Sequence, residues 1–187
     1  SKEQGQPDLW KDWWQNPEAK AYYFIGKDNI PFHSIRWPAV LMGIGGLNLP
    51  YDIPANEFLN LEGRKLSTSN NWAVWLDDYL KEYDPDPLRY VLTATAPETS
   101  DSDFSWAEFL RRNNDELVGW WGNLVNRSIS FTNKHFQGEV PEAEFTEEDK
   151  DIIARSEATF AKVGQLISEC QFKQALAEAM ELAREGN

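Results

Sequence analysis

Apolar residues fall in short contiguous runs over the early part of the chain and at helical spacing later. Residues 22–26, Tyr-Tyr-Phe-Ile-Gly, are an apolar run closed by glycine, which predicts a buried strand. Pro31 suits the first turn of a following helix, and Gly43, Gly45 and Gly46 end it. Residues 55–61 predict a second strand, so this part reads as half of a parallel α/β unit. Upstream, residues 8–21 interleave tryptophan with polar residues and predict a loop or short helix docked by its aromatics. Residues 75–97 predict two short helices broken at Asp84-Pro85-Asp86-Pro87. Ser105 and Glu108 have capping-box spacing and open a helical pattern reaching about Phe136. Thr146 and Asp149 start another helix, with Ile153, Phe160, Val163, Ile167 and Cys170 near one stripe. A last amphipathic helix carries Phe172, Leu176, Met180 and Ala183, with Gly186 placed to cap it. The expected fold class is α/β plus all-α, divided into residues 1–60, 61–104 and 105–187.

Composition narrows the function classes. The 187 residues carry 18 Lys and Arg against 31 Asp and Glu, a net charge of −13, which argues against sequence-blind nucleic-acid binding but leaves room for a local basic face. Nine tryptophans and a 41% hydrophobic share argue against disorder. One cysteine, Cys170, excludes an internal disulfide and a cysteine-based zinc site, and two distant histidines make a metal site an unfavoured reading. No stretch approaches a membrane span in length. A cytoplasmic protein, or a piece of one, is the expected setting.

Four stretches carry candidate chemistry, each with a plainer alternative. Gly26-Lys27-Asp28 ends a strand where open α/β sheets hold ligands. Gly26 permits close approach and Asp28 accepts from a ribose or an amine; alternatively Asp28 caps the helix begun at Pro31. His33 and Trp37 are one turn apart and line either an apolar pocket or an ordinary packed face. Gly63-Arg64-Lys65-Leu66-Ser67-Thr68-Ser69-Asn70-Asn71 crowds cations and hydroxyls that suit a polyphosphate, though without Walker spacing, and is otherwise a polar turn. Asn123 and Arg127, one helical turn apart, suit unpaired bases, with Trp120 and Trp121 available to stack; otherwise they are a solvated face and core.

In order and spacing, these segments together with "DPLRYVL" and "DFSWAEFLRRNNDELVGWWGNLVNR" resemble the methionyl-tRNA synthetases, class I aminoacyl-tRNA synthetases. The resemblance implies the C-terminal half of a Rossmann-type nucleotide-binding domain, a stem-contact connector and part of a helical-bundle anticodon-binding domain. It implies ATP and Mg²⁺ as cofactors, and methionine and tRNA(Met) as partners. Gly26 and Asp28 are then ATP-binding, and Asn29, His33 and Trp37 belong to the methionine pocket. Lys65-Leu66-Ser67-Thr68-Ser69 takes the place of the phosphate loop Lys-Met-Ser-Lys-Ser: Lys65, Ser67, Thr68 and Ser69 are catalytic, Lys65 and Thr68 also bind ATP, and Asn123 and Arg127 contact the anticodon. The loop departs from the family pattern at Thr68, in place of a second lysine, and at Asn70, often an arginine. The first signature, His-x-Gly-His, is absent. The expectation is therefore an internal piece of a methionine–tRNA ligase, inactive alone, with any structural zinc outside it. The alternative is a non-catalytic tRNA-binding module on the same fold.

Overall fold

The computed structural model describes residues 5–187, which form two compact units. The first takes the chain up to Phe58 together with Pro97–Asp101; the second takes Leu59–Ala96 and Ser102–Asn187. This differs from the three-way division read from the sequence: residues 61–96 fold with the helical part, and 97–101 return to the first unit.

In the first unit, α1 is a single turn, Lys11–Trp14, and β1 is only Ile25–Gly26. A 3₁₀ turn (Lys27–Asn29) and a π-helical turn (Phe32–Arg36) lead into α2 (Trp37–Ile44), which ends at Gly45 with φ 80°. Glycine fits there because a side chain strains that left-handed conformation. β2 is Ala55–Asn56, paired parallel to β1 with Ile25 opposite Ala55 and Gly26 opposite Asn56. An isolated parallel bridge joins Tyr22 to Asp52. The expected strand at 22–26 is therefore real in direction but shorter in ladder. Its alternation is legible: Tyr23 and Ile25 are half-buried, while Tyr22 and Phe24 are exposed.

The strand expected at 55–61 is two strands in two units. β3 (Leu59–Leu61) begins the second unit and turns through Glu62-Gly63 into antiparallel β4 (Arg64–Lys65). Glu62 (φ 49°) and Gly63 (φ 72°) give a two-residue hairpin turn with both central residues left-handed, which matches the strand twist. Helices α3 (Leu76–Glu82) and α4 (Pro85–Ala94) break at Asp84-Pro85 as expected. β5 (Ser102–Phe104) pairs parallel to β3.

Ser105 accepts from the Glu108 amide at 3.2 Å and starts α5 (Trp106–Arg111). Only this half of the predicted capping box forms, because the Glu108 carboxylate turns to Arg111 and Arg112. The helix continues through an eleven-residue π-helical segment (Arg112–Gly122) into α6 (Asn123–Phe136), closed by left-handed Gln137. A complete capping box at Thr146 and Asp149 opens α7 (Glu147–Ser168), and α8 (Phe172–Glu185) packs back on it. The core joins Leu61, Tyr79, Leu88, Tyr90, Val91, Phe104, Phe109 and Met180.

One stripe is corrected. In α7 the buried residue is Leu166, beside half-buried Thr159, Val163 and Cys170, while Ile153, Phe160 and Ile167 are 41, 84 and 50% exposed. α7 carries two apolar rows, and α8 covers the other one.

Candidate functional site

At the carboxyl end of β1, the parallel register sets the local chemistry. Asp28 is exposed in the 3₁₀ turn, and among the described residues no hydrogen bond or ion pair engages its carboxylate. The capping alternative is therefore not what the structure adopts: neither Gly26 nor Pro31 heads its turn with a side-chain cap. The Asn29 carbonyl lies 3.1 Å from His33 Nδ1. Trp37 donates its indole N–H to the Tyr23 hydroxyl at 2.9 Å, and the Tyr23 ring lies 5.7 Å from the His33 ring. Trp14 meets Trp37 edge-on at 6.2 Å. So His33 and Trp37 both meet Tyr23, and Asn29 reaches His33 through its backbone carbonyl. The Trp14 turn is docked by Asn48, whose backbone amide donates to the Trp14 carbonyl and whose side chain donates to the Trp13 and Asn16 carbonyls.

The cation- and hydroxyl-rich loop has its own scaffold in the second unit. The hairpin turn presents Arg64 and Lys65 on β4, and Ser67 pairs with Trp72 through two backbone hydrogen bonds of 2.9 and 2.8 Å. Residues 68–71 are thereby a closed turn, with Thr68 accepting from the Asn71 amide and Ser67 Oγ beside both Ser69 Oγ and the Asn70 amide. Trp72 fastens the loop: its indole donates to the Leu61 carbonyl at 3.0 Å, and the Arg64 guanidinium stacks 4.4 Å over its ring. Leu66 lines an apolar cavity with Leu61, Val74, Leu88 and Phe104. Leu66, itself 38% exposed, turns one side to this cavity, and Lys65, Thr68 and Ser69 are exposed around it.

Asn123 and Arg127 share an exposed face of α6 and meet on one residue. Asn123 donates to Asn187 Oδ1 at 2.9 Å, and Arg127 donates to the Asn187 carbonyl at 3.0 Å. Trp121 is exposed, and Trp120 packs against the core.

The family model described as "tRNA synthetases class I (M)" matches residues 1–129, more than half of the sequence. The chain belongs to that synthetase family. It is 55% identical over 186 residues to the methionine–tRNA ligase of Thermomicrobium roseum and 53% identical over 189 residues to that of Roseiflexus castenholzii, each alignment covering 98% of this chain and 32% of the relative. The chain thus spans about a third of the length of these curated relatives. A crystal structure of Mycobacterium tuberculosis methionyl-tRNA synthetase bound by methionyl-adenylate superposes with a TM-score of 0.81 at 30% identity, over 89% of this chain and 32% of that one.

This synthetase chain also holds contacts around the candidate residues, and a buried charge network, that its sequence did not disclose. Tyr23 was hidden in an apolar run; its signal is the alternation that places it on the half-buried side with Ile25. Lys27, Glu57 and Asp101 form one charge cluster: Lys27 pairs with Glu57 and, at 3.0 Å, with Asp101. The hydrogen bond to Glu57, reinforced by that to Asp101, holds the Lys27 ammonium above the ordinary lysine range. The Phe58 amide, then Lys27, lowers the Asp101 carboxyl. Glu116, 7% exposed, accepts from Tyr90 at 2.7 Å and from Arg112 and Arg111 at 3.1 Å each. Burial, followed by that bond to Glu116, raises the Tyr90 phenol well above its usual range. Its signal was the spacing of Glu108, Arg111, Arg112 and Glu116 at three, four and eight residues. No helix among the described residues is long and apolar enough to cross a membrane.

Proposed function

We propose that this chain is part of a methionine–tRNA ligase, which activates methionine with ATP to methionyl-adenylate and transfers the methionyl group to tRNA(Met). The observation that carries the reading is the identity of more than half to methionine–tRNA ligases across 98% of the chain. In this reading residues 1–60 are the C-terminal part of a Rossmann-type domain. Residues 61–104 hold the ATP loop and stem-contact connector, and the helices from α5 onward begin the anticodon-binding domain.

The chemistry asks the protein mainly for position and charge. The methionine carboxylate oxygen attacks the α-phosphorus of ATP, a new C–O–P linkage forms, the bond from the α-phosphorus to the bridging oxygen breaks, and pyrophosphate leaves. A hydroxyl at the tRNA 3′ end then takes the acyl group and releases AMP. No nucleophile or general base from the protein is required for the first step. Asn29, His33 and Trp37 receive the methionine side chain, with Tyr23 fixing the Trp37 ring. Gly26 leaves room for the nucleotide, and the unengaged Asp28 carboxylate accepts from its ribose. Lys65, Ser67, Thr68 and Ser69 hold the phosphates; Thr68 offers a hydrogen bond where a second lysine supplies charge elsewhere in the family. Mg²⁺ bound to the nucleotide phosphates that Lys65, Ser67, Thr68 and Ser69 hold would offset their charge. Asn123 and Arg127 contact the anticodon.

Methionine-dependent ATP–pyrophosphate exchange, measured on the protein expressed from the full reading frame that carries this chain, tests the proposal. Exchange that requires methionine is the expected result. No exchange, together with retained tRNA(Met) binding, would replace the ligase by a tRNA-binding module.

A further inference from the structure

We propose that Lys27 is a positioning residue for methionine activation and not an ATP ligand: its ammonium, pinned between Glu57 and Asp101, holds the strand-end turn that carries Asp28. The assignment rests on the ligase reading above. A lysine one residue beyond the carboxyl end of a parallel strand, next to a glycine, ordinarily invites a phosphate. Here that charge is already spent. The parallel register places Gly26 opposite Asn56, so the residues leaving the two strands, Lys27 and Glu57, emerge side by side and pair. Asp101 closes the cluster from a segment 74 residues away in sequence, with the same Oδ1 that accepts from Lys27 at 3.0 Å accepting the Phe58 amide at 3.0 Å. The ammonium also lies 4.3 Å over the Phe58 ring, and the Glu57 amide donates to the Pro97 carbonyl at 2.8 Å. Lys27 is only 31% exposed at its side chain.

Two carboxylates against one ammonium leave the cluster with a net charge of −1, which repels a triphosphate. Three segments of the first unit, 25–29, 55–58 and 97–101, meet at this one ammonium. Removing it leaves Glu57 and Asp101 facing each other as like charges, and the three segments lose the group that joins them. Asp28 follows Lys27 directly and its own side chain is engaged by nothing among the described residues, so its place is set by the turn alone. Small displacements of a positioned group cost catalysis more than ground-state binding.

The test is ATP–pyrophosphate exchange by the full-reading-frame protein, with kcat and the KM for ATP and for methionine measured for wild type, Lys27→Met, Lys27→Arg, Glu57→Gln and Asp101→Asn. Lys27→Met and Asp101→Asn are expected to lower kcat by about 10- to 100-fold with the KM for ATP within about twofold of wild type. Glu57→Gln is expected to do so more weakly, and Lys27→Arg to recover most of the loss. Amide exchange at Phe58 accompanies the kinetics and is expected to quicken in Lys27→Met and Asp101→Asn. A phosphate-binding lysine shows its effect in the KM for ATP instead: Lys27→Met raises it tenfold or more, while the carboxylate variants, by freeing the ammonium, lower it. That pattern, or wild-type kinetics in all four variants, overturns the assignment alone. An inactive wild-type protein overturns the ligase reading and this assignment with it. If Lys27→Met does not fold, Asp101→Asn and Glu57→Gln decide, because the two hypotheses place their effects on different constants: a lower kcat at an unchanged KM for ATP, or a lower KM for ATP.

Discussion

Tyr23 hydrogen-bonds Trp37 and faces His33, so the proposed methionine pocket depends on a hydroxyl that does not itself meet substrate in the proposed roles. Tyr23→Phe keeps the ring and leaves the half-buried Trp37 N–H without its acceptor. An unmade bond of this kind costs about 1 kcal/mol, so the KM for methionine is expected to rise roughly five- to tenfold with the KM for ATP unchanged. Exchange kinetics against methionine check it; an equal change in both constants would mean that the hydroxyl supports the fold and not the pocket. Glu108 gives a prediction in pH. Hydrogen bonding to Arg111, with the charge of Arg112 and Arg111, brings its carboxyl down to about 2 from the ordinary 4.5. A carboxyl depressed in the folded state stabilises above its unfolded pKa and loses that contribution as pH falls, here from about 4.5 to about 2. Arg111 is 47% exposed, so after solvent screening the contribution is on the order of 1 kcal/mol. Thermal unfolding of Glu108→Gln is expected to follow pH less steeply through that window than wild type. Parallel curves for the two proteins would remove the ion pair from the account.

The loop that carries Lys65 is built by the hairpin β3–β4, and the hairpin by its turn. Gly63 sits at φ 72° with open space around the position of a Cβ, so the obstacle to a side chain there is the backbone conformation and not a clash. Gly63→Val is expected to destabilise by about 1–2 kcal/mol, whereas Gly63→Asn, whose side chain tolerates the left-handed region, costs less than half of that. Urea unfolding of both variants measures the difference, and equal losses would show that the strain lies elsewhere in the turn. Such elements were unevenly legible in sequence. The breaks at Asp84-Pro85 and Gln137-Gly138, and the caps at Ser105 and Thr146, are set by local chemistry and could be read. The split of 55–61 could not, because one apolar run serves two sheets: Ala55–Asn56 pairs with β1, and Leu59–Leu61 pairs with β4 and β5. The π-helical segment at 112–122 was also hidden, since apolar spacing does not separate it from an α-helix. Gly119 marks it only in three dimensions, where a Cβ would meet the Asn114 carbonyl at 3.1 Å.

At the scale of the whole chain, candidate site residues could be named where a motif fixed their order, and the side chains around them could not, because the strand patterns that hold Tyr23 and Glu57 do not show what those residues meet, and Asp101 comes from a segment 74 residues away from Lys27. The same limit applies to the apolar surface. A periodic stripe shows that a helix has an apolar face but not which row a neighbour covers. α7 turns Ile153, Phe160 and Ile167 outward, and in the first unit Phe24, Ile35, Val40, Met42 and Ile44 are each at least half exposed, with Leu41 its one fully buried side chain among the described residues. Exposed apolar area on this scale favours association, while the net charge of −13 opposes it. The two terms separate with salt, because added ions shorten the range of the repulsion to about 8 Å at 0.15 M and about 3 Å at 1 M and leave the apolar attraction in place. The chain is therefore expected to show a weight-average mass that grows with its concentration in sedimentation velocity, more steeply at high salt. Phe160→Lys is expected to reduce that growth while changing stability by less than about 0.5 kcal/mol, because its ring is 84% exposed. A mass independent of both concentration and salt would show that charge alone governs the surface, and a large loss of stability in Phe160→Lys would show that the ring is packed in solution.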